Sequence, residues 1–262
     1  MSLYKKIGNK IKSTLGVPFL SFLLPNAYFY SRRGTCSCCE KKVIFYSYND
    51  YLRSNYICQN CNSLPRERAL MQAIERFYPN WRNLNIHESS PIERGASVKI
   101  NKGNKNYTAS QFFPNHPFGE LVNGVRNENL ENQKFQKEVF DLVITQDVFE
   151  HLNQPEKAFA EIHRTLKKGG AHILTVPIEN RFDPTVRWAE LDSKGNLIFL
   201  FTPEYHGNPV NEEGSPVFWH YGYDIVEMIE KSTGVKPYIQ TWEDRDNGIE
   251  GLLNEIIVIK KV

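Results

Sequence analysis

Four cysteines stand in two matched pairs in the first quarter of the chain: Cys36 with Cys39, and Cys58 with Cys61. A C-x-x-C turn lets two thiolates grip one ion, and two such turns complete a tetrahedral four-thiolate site. A site closed by four protein ligands has no open position for substrate, so the pattern predicts a structural Zn2+. Cys38 is the fifth cysteine and an alternative to Cys39 through a less usual C-x-C. Disulfides are the competing reading; an odd count leaves one thiol over, and a reducing compartment disfavours them.

The elements around these residues follow from periodicity. Val43 to Tyr46 reads as a ribbon strand between the two pairs. Ser63 to Tyr78 reads as a helix, with Ser63 as cap, Pro65 in the first turn, and Leu64, Leu70, Ala73, Ile74 and Phe77 at helical spacing. Beyond Leu84 the pattern alternates. Strands are predicted over Leu84 to Glu88, Asn106 to Ser110, Val139 to Thr145 and Ala171 to Val176. The third is apolar and β-branched, as a strand buried on both faces should be. Pro155 to Leu166 reads as an amphipathic helix closed by Lys167-Lys168-Gly169-Gly170, with cations and then glycine at its negative end. Asp183 to Pro216 is polar, aromatic and irregular, long enough to be functional. A helix over Gly222 to Thr233 and strands over Lys236 to Thr241 and Asn254 to Ile259 close the chain. Alternation of this kind predicts an α/β fold with a mostly parallel sheet covered on both faces.

With 262 residues the chain has room for one substantial α/β domain and a small appendage. Hydrophobic residues at 40% and charged residues at 24% indicate an ordinary globular protein. Thirty-two basic residues against thirty acidic ones leave a formal charge of +2, without the basic excess of a dedicated nucleic-acid binder. Gly16 to Tyr30 is the most apolar run, but Pro18 and Pro25 break it and it falls short of the ~18 residues of a membrane span. Lys5, Lys6, Lys10 and Lys12 precede it, and no small-x-small cleavage site follows. It reads as an arm packed on the protein's own surface, with a peripheral membrane contact through residues 4–30 as the alternative. The expected organisation is an arm over 1–33, a zinc-ribbon module over 34–63 and a catalytic domain over 64–262, in a cytoplasmic or membrane-associated protein.

One stretch resembles a known family. Phe140-Asp141-Leu142-Val143-Ile144-Thr145 followed by Gln146-Asp147-Val148-Phe149-Glu150-His151-Leu152 is similar to the fourth-strand motif of class I S-adenosylmethionine (SAM) dependent methyltransferases, an "FDLV" strand, an acidic turn, then "EH". Ala158-Phe159, Glu161-Ile162, Leu166 to Gly170 and Leu174 to Pro177 continue the resemblance in order and spacing, with Lys168 where proline is common. The four-cysteine segment with C-x-S-L-x-R-x-R (Cys61 to Arg68) resembles a bacterial subgroup of zinc-ribbon methyltransferases linked to surface-glycan or small-molecule modification.

The resemblance implies a Rossmann-like fold with a mostly parallel seven-stranded sheet, and SAM across the carboxyl ends of strands one and four. Glu88, Ser89 and Ser90 stand where the glycine-rich turn is usual, the first glycine coming only at Gly95. Ser110 and Gln111 replace the acidic ribose contact, Asn129 with Leu130 falls at the adenine position, and Gln146 and Asp147 would face the methionine end. Among catalytic candidates, Asp147 and His151 come from the motif. His206, inside Pro203-Glu204-Tyr205-His206-Gly207-Asn208-Pro209, resembles an acceptor-contacting stretch of the subgroup; it is a candidate base, or else a turn residue. His220 and Tyr221 are further candidates. The implied acceptor is a small molecule or glycan. RNA is the alternative, met by Lys41, Lys42, Arg66 and Arg68. A degenerate, non-catalytic binding module is the third reading, favoured by the missing glycine turn.

Overall fold

The structure, a computed structural model, describes residues 30–208 and 213–262. The expected arm therefore lies outside the described residues except for Tyr30 to Arg33. Among the described residues no helix is long and apolar enough to cross a membrane.

The chain opens as a three-stranded antiparallel ribbon of β1 (Tyr30–Thr35), β2 (Lys42–Ser47) and β3 (Ile57–Cys58), with the short helix α1 (Leu52–Asn55) before β3. Helix α2 (Pro65–Phe77) follows. Pro65 is preorganised for its first turn. Glu67 caps it, its carboxylate accepting from the Leu64 backbone N–H at 3.2 Å. Ser63 is not the cap: its hydroxyl lies 3.3 Å from Cys36 Sγ and 3.1 Å from an Arg68 nitrogen.

Strand β4 (Ile86–Ser89) begins the alternation, followed by α3 (Gly95–Gly103), β5 (Tyr107–Gln111), β6 (Leu121–Val122), β7 (Val125–Asn127), β8 (Phe140–Gln146), a 3-10 turn over Phe149–His151, α4 (Pro155–Thr165) and β9 (Leu166–Thr175). The stretch expected to be irregular carries short antiparallel pairs: β10 (Val186–Arg187) with β15 (Trp219–His220), β11 (Ala189–Leu191) with β12 (Leu197–Phe199), and β13 (Tyr205–His206) with β14 (Ser215–Pro216). Helix α5 (Ile225–Thr233), β16 (Tyr238–Gln240) and β17 (Ile256–Lys260) complete the chain.

The main sheet runs β16-β17-β9-β8-β4-β5-β7-β6. The pairs β7/β5, β5/β4, β4/β8 and β8/β9 are parallel, and β17 is antiparallel to both β9 and β16. This is the Rossmann-like class I methyltransferase fold. It has eight strands rather than the expected seven, because β6 turns back on β7 through Asn123-Gly124, both at positive φ (52° and 81°). Asn-Gly is the residue pair a two-residue hairpin demands. A second correction concerns α4, which ends at Thr165. Lys167 lies in β9 and pairs with Asp141 at 3.0 Å instead of meeting the helix end.

Side chains alternate across the central strands, so one strand feeds two cores. Leu142 and Ile144 join Ile86, Ile173, Ile256, Leu70 and Ile74 on one face; Val143 joins Phe149, Phe159, Ile162, Leu174 and Ile257 on the other. Phe45, Tyr56 and Cys36 of the ribbon belong to the first cluster, so ribbon and sheet share one core. Arg68 locks that junction. It is fully buried, donates to the carbonyls of Ser63, Tyr56 and Gly248, and lies over the Phe45 ring at 4.5 Å.

Two histidines sit inside the sheet. His87 lies 2.8 Å from Ser110 Oγ and stacks on Phe140; His172 lies 2.9 Å from Thr145 Oγ1. Burial pushes both down to about 3, so both are neutral in the folded protein. The unfolded chain binds protons at these positions below the ordinary value of 6.5, so their stabilisation is complete above that pH and declines as pH falls toward 3. Urea midpoints should therefore drop between pH 7 and pH 4.5, and an H87Q/H172Q variant should show a shallower drop. Equal slopes in the two proteins would contradict this account.

Candidate active site

The carboxyl ends of β4 and β8 lie side by side, where the strand order reverses between the two halves of the sheet. In open α/β sheets such a crevice is where ligands bind. Both strands leave it through a non-glycine residue in the left-handed region, Ser90 at φ 54° and Asp147 at φ 49°. Such conformations cost about 1–2 kcal/mol per residue, so surrounding contacts must hold them. Ser90 N–H donates to the Ser110 carbonyl at 2.8 Å, and Asp147 N–H to the Thr175 carbonyl at 3.0 Å.

The turn after β4 contains no glycine until Gly95, which itself has a definite task. Its φ is 54°, and a Cβ there would lie 2.0 Å from Glu67 Oε2. The bare backbone lets the capping carboxylate of α2 reach the turn, where Arg94 pairs with Glu67 at 2.9 Å.

Glu88 is fully buried beneath the crevice. It accepts from Ser97 Oγ at 2.6 Å, Gln146 Nε2 at 2.7 Å and Tyr107 Oη at 2.8 Å. Burial raises its pKa, while these three donors oppose the rise. With its oxygens engaged by the protein, Glu88 organises the floor of the site. Gln146 bridges Glu88 and Ser97 through its amide nitrogen, and its carbonyl oxygen is buried with no partner.

Asp147 carries the site's strongest electrostatic contact. Arg53 from α1 lies 2.8 Å from Oδ2, Arg66 from α2 lies 2.7 Å from the same atom, and Thr175 Oγ1 donates to Oδ1 at 2.9 Å. Arg53 is fixed further by the Leu253 carbonyl, and its own carbonyl accepts from Arg66 at 3.0 Å. Burial alone would raise Asp147; the two guanidiniums hold it down to about 2.

The remaining sequence candidates divide. Ser89 is buried at the end of β4, with Ser90 just beyond it and Gln111 at the end of the adjacent β5. Ser110 points the other way, into the sheet, toward His87. The Asn129 side-chain carbonyl accepts from Glu131 N–H at 2.9 Å, and Leu130 is buried in the second core. The structure therefore gathers Ser89, Ser90, Gln146 and Asp147 at the switch point and turns Ser110 and Leu130 inward.

A second group forms where the short-stranded lobe docks on the turn after β8. Phe218 N–H donates to the Glu150 carbonyl at 2.7 Å, and His151 Nδ1 lies 2.8 Å from the Pro216 carbonyl oxygen. This brings His206 beside the motif: the His151 and His206 rings meet edge to face at 5.1 Å, and each has a nitrogen 4.0 Å from Glu150 Oε1. Glu204 extends the group, 3.2 Å from His206 Nε2 and 2.9 Å from His220 Nε2. Trp188 stacks flat on His220 at 4.0 Å. Burial, then Asp147, pushes Glu150 up to about 8, and burial lowers His151. Sequence reasoning singled out His151 and His206 but not Glu150 as a member of the same cluster. Its signal was its place inside the motif.

The cysteine pairs also converge. Cys36 and Cys61 sulfurs are 3.7 Å apart and Cys39 and Cys58 sulfurs 3.9 Å apart, with all four within 4.8 Å of one another. A tetrahedron with 2.3 Å Zn–S bonds has edges of about 3.8 Å. Cys38 lies outside this group, and burial pushes its thiol up. Among the basic residues expected to meet RNA, Arg66 is committed to Asp147 and Arg68 is buried among carbonyls.

Residues 97–174 match the methyltransferase domain family, a span that begins inside α3 and contains β8 and α4. No curated protein matches the chain. Among solved structures it is similar to a SAM-dependent methyltransferase from Mesorhizobium loti (13% identity, TM-score 0.45, 73% of this chain and 96% of that one). It is also similar to DesVI from Streptomyces venezuelae (8%, 0.48, 75% and 92%). A third is CalS10, a SAM-bound amino pentose methyltransferase from Micromonospora echinaspora (10%, 0.47, 76% and 92%).

Because Asp147 has two cationic partners, removing one leaves the other to neutralise it. Single R53M and R66M variants should each lose less than half of what the R53M/R66M double variant loses, which should be about 3–5 kcal/mol, the cost of stranding a buried charge. A chemical-denaturation cycle measures this; strictly additive losses would show that neither arginine compensates for the other at Asp147.

Proposed function

We propose that this chain is a SAM-dependent methyltransferase acting on a small-molecule or glycan acceptor, with a structural zinc ion in its ribbon. The observation that carries the reading is the crevice between β4 and β8, where a buried acceptor, Gln146 Oε1, has no partner in the protein. An unpaired buried carbonyl costs on the order of 1–3 kcal/mol, so a ligand that donates to it would bind there with advantage. The ammonium group of SAM's methionine portion has that chemistry, and Ser89 and Ser90 add hydroxyls at the same strand end. These residues fit the group without the usual glycines, because Ser90 itself adopts the left-handed conformation that the turn requires.

SAM supplies an electrophilic methyl group on a sulfonium. The chain's own residues would do the rest. Glu88 and Ser97 hold Gln146 in one orientation; Asp147, locked by Arg53 and Arg66, fixes the exit of β8. In-line displacement depends chiefly on such positioning and on a water-poor site. A hydroxyl acceptor must also lose a proton, and Glu150, His151 and His206 are the proton-accepting side chains grouped just beyond the crevice.

The four cysteines have the sulfur separations of a tetrahedral zinc site, and Cys36 and Cys58 lie in the core shared with the sheet. Losing the metal should therefore weaken the whole protein rather than the ribbon alone. C58S is expected to release zinc and lower the Tm of the whole unfolding transition by several degrees; a variant that retains zinc, or unfolds like the native chain, would count against the assignment.

Calorimetry with S-adenosylhomocysteine tests the cofactor. Binding is expected, with stabilisation of about 2.7 kcal/mol at a hundredfold excess over Kd. Q146L should weaken it at least tenfold. No heat and no rise in Tm with a well-folded protein would refute the proposal.

A further inference from the structure

The group at Glu150, His151 and His206 has a feature that proton acceptance does not explain. His151 Nδ1 faces the Pro216 carbonyl at 2.8 Å, and a carbonyl only accepts, so Nδ1 carries the proton. The Nε2 of that neutral ring is then a bare lone pair, and it faces Glu150 Oε1 at 4.0 Å. His206 repeats the arrangement with its nitrogens exchanged. Nε2 faces the Glu204 carboxylate at 3.2 Å and donates to it, so Nδ1 is the nitrogen left to ligate, 4.0 Å from the same Glu150 oxygen. The second Glu150 oxygen is buried and has no hydrogen-bond partner, in a side chain 1% exposed. Three electron-pair donors thus converge with nothing between them.

We propose that Glu150, His151 Nε2 and His206 Nδ1 bind a divalent transition-metal ion such as Zn2+. Two imidazoles and one carboxylate suit that class of ion. The outer contacts are those that metal-bound histidines use: each ring's other nitrogen is held by a backbone carbonyl or a carboxylate, which fixes tautomer and orientation. Glu204 is itself steadied by His220 at 2.9 Å. The ligand atoms lie within 4.8 Å of one another. With metal–ligand bonds of about 2.0–2.1 Å in a tetrahedron they would stand roughly 3.3 Å apart, so each histidine nitrogen, now 4.0 Å from Glu150 Oε1, must draw in by about 0.7 Å on that oxygen. His206, about a third exposed, sits on a short lobe strand that supplies both the movement and the way in.

Three protein ligands leave at least one coordination position open, unlike the closed cysteine site. If the chain is the methyltransferase proposed above, that position would take an acceptor oxygen, with His206 serving as a ligand rather than a free base. Metal binding itself does not depend on that reading.

The test uses the full chain. Metal content is measured after removal of loosely bound ions and dialysis against excess Zn2+, and the site is then titrated with Co2+ followed by optical absorption. The native protein should hold two zinc ions. E150Q and H206A should each hold one, the cysteine-bound ion, recognised on cobalt substitution by thiolate charge-transfer absorption. C58S should lose that absorption and keep the second ion. E204Q, which alters the carboxylate that holds His206 and His220 but none of the three ligands, should weaken the second site ten- to a hundredfold. H206Q, with circular dichroism matching the native protein, guards against misfolding as the cause of loss. A native protein with no zinc beyond the cysteine-bound ion, or a second ion indifferent to E150Q and H206Q, overturns the proposal. S-adenosylhomocysteine calorimetry on E150Q, which keeps the cysteine-bound ion, reports separately on the methyltransferase reading.

Discussion

The carboxylate of Asp147 is the point at which the ribbon end of the chain and the switch point of the sheet become one structure. It leaves β8 in a left-handed conformation, and that exit is held from three sides: Thr175 from β9, Arg53 from α1 and Arg66 from α2. The arginines belong to the segment that carries the cysteines. The ribbon segment thereby determines where two cations stand, and the cations determine how β8 opens. A buried carboxylate with a single partner would be fragile. Sharing Oδ2 between two guanidiniums, each tied further to a carbonyl or a neighbouring residue, spreads the desolvation cost over a network.

The same logic replaces the glycine-rich turn. Glycine serves at such turns because the backbone must bend where a side chain would strain it. Here Ser90 takes the strained conformation, and the backbone bond from Ser90 to Ser110 holds it. Glycine is kept only at Gly95, where the Glu67 carboxylate would occupy the place of a Cβ. Below the turn, Glu88 binds three donors from α3, β5 and β8, so one buried acid aligns three elements. Burial penalises that acid, and the fold tolerates it because each donor would otherwise need a partner of its own.

Beyond the crevice, the lobe between β9 and α5 is built on polar contacts more than on a core of its own. Its strands are two or three residues long, too short to be stable alone. They stand because Phe218, Pro216 and Trp219 bond to the turn that follows β8, with Trp219 Nε1 donating to the Leu152 carbonyl at 2.8 Å. That docking brings His206 and Glu204 to Glu150 and His151. A region held by few such bonds is suited to adjust around an acceptor or an ion.

How much of this was legible beforehand depended on whether the signal was local. The C-x-x-C pairs, the apolar run Phe140 to Thr145 and the amphipathic face of α4 are patterns a few residues long, and each predicts its element directly. Asn123-Gly124 is equally local, a hairpin signal that the expectation of seven strands passed over. The choice of Cys39 over Cys38 was not, because adjacent thiols differ only in which way the folded turn points them. Ser110 and Gln111 likewise look interchangeable until strand alternation sends one inward to His87. The pairing of Arg53 and Arg66 with Asp147, and of His206 with Glu150, joins residues 94, 81 and 56 positions apart. Residue types alone cannot announce such contacts, since any arginine can meet any acid. The sequence alone determined the alternating strands and helices of the main sheet, because those follow from local periodicity. Only the tertiary structure decided which charged groups are spent inside the protein and which face a ligand, because burial and partner are properties of the assembled chain.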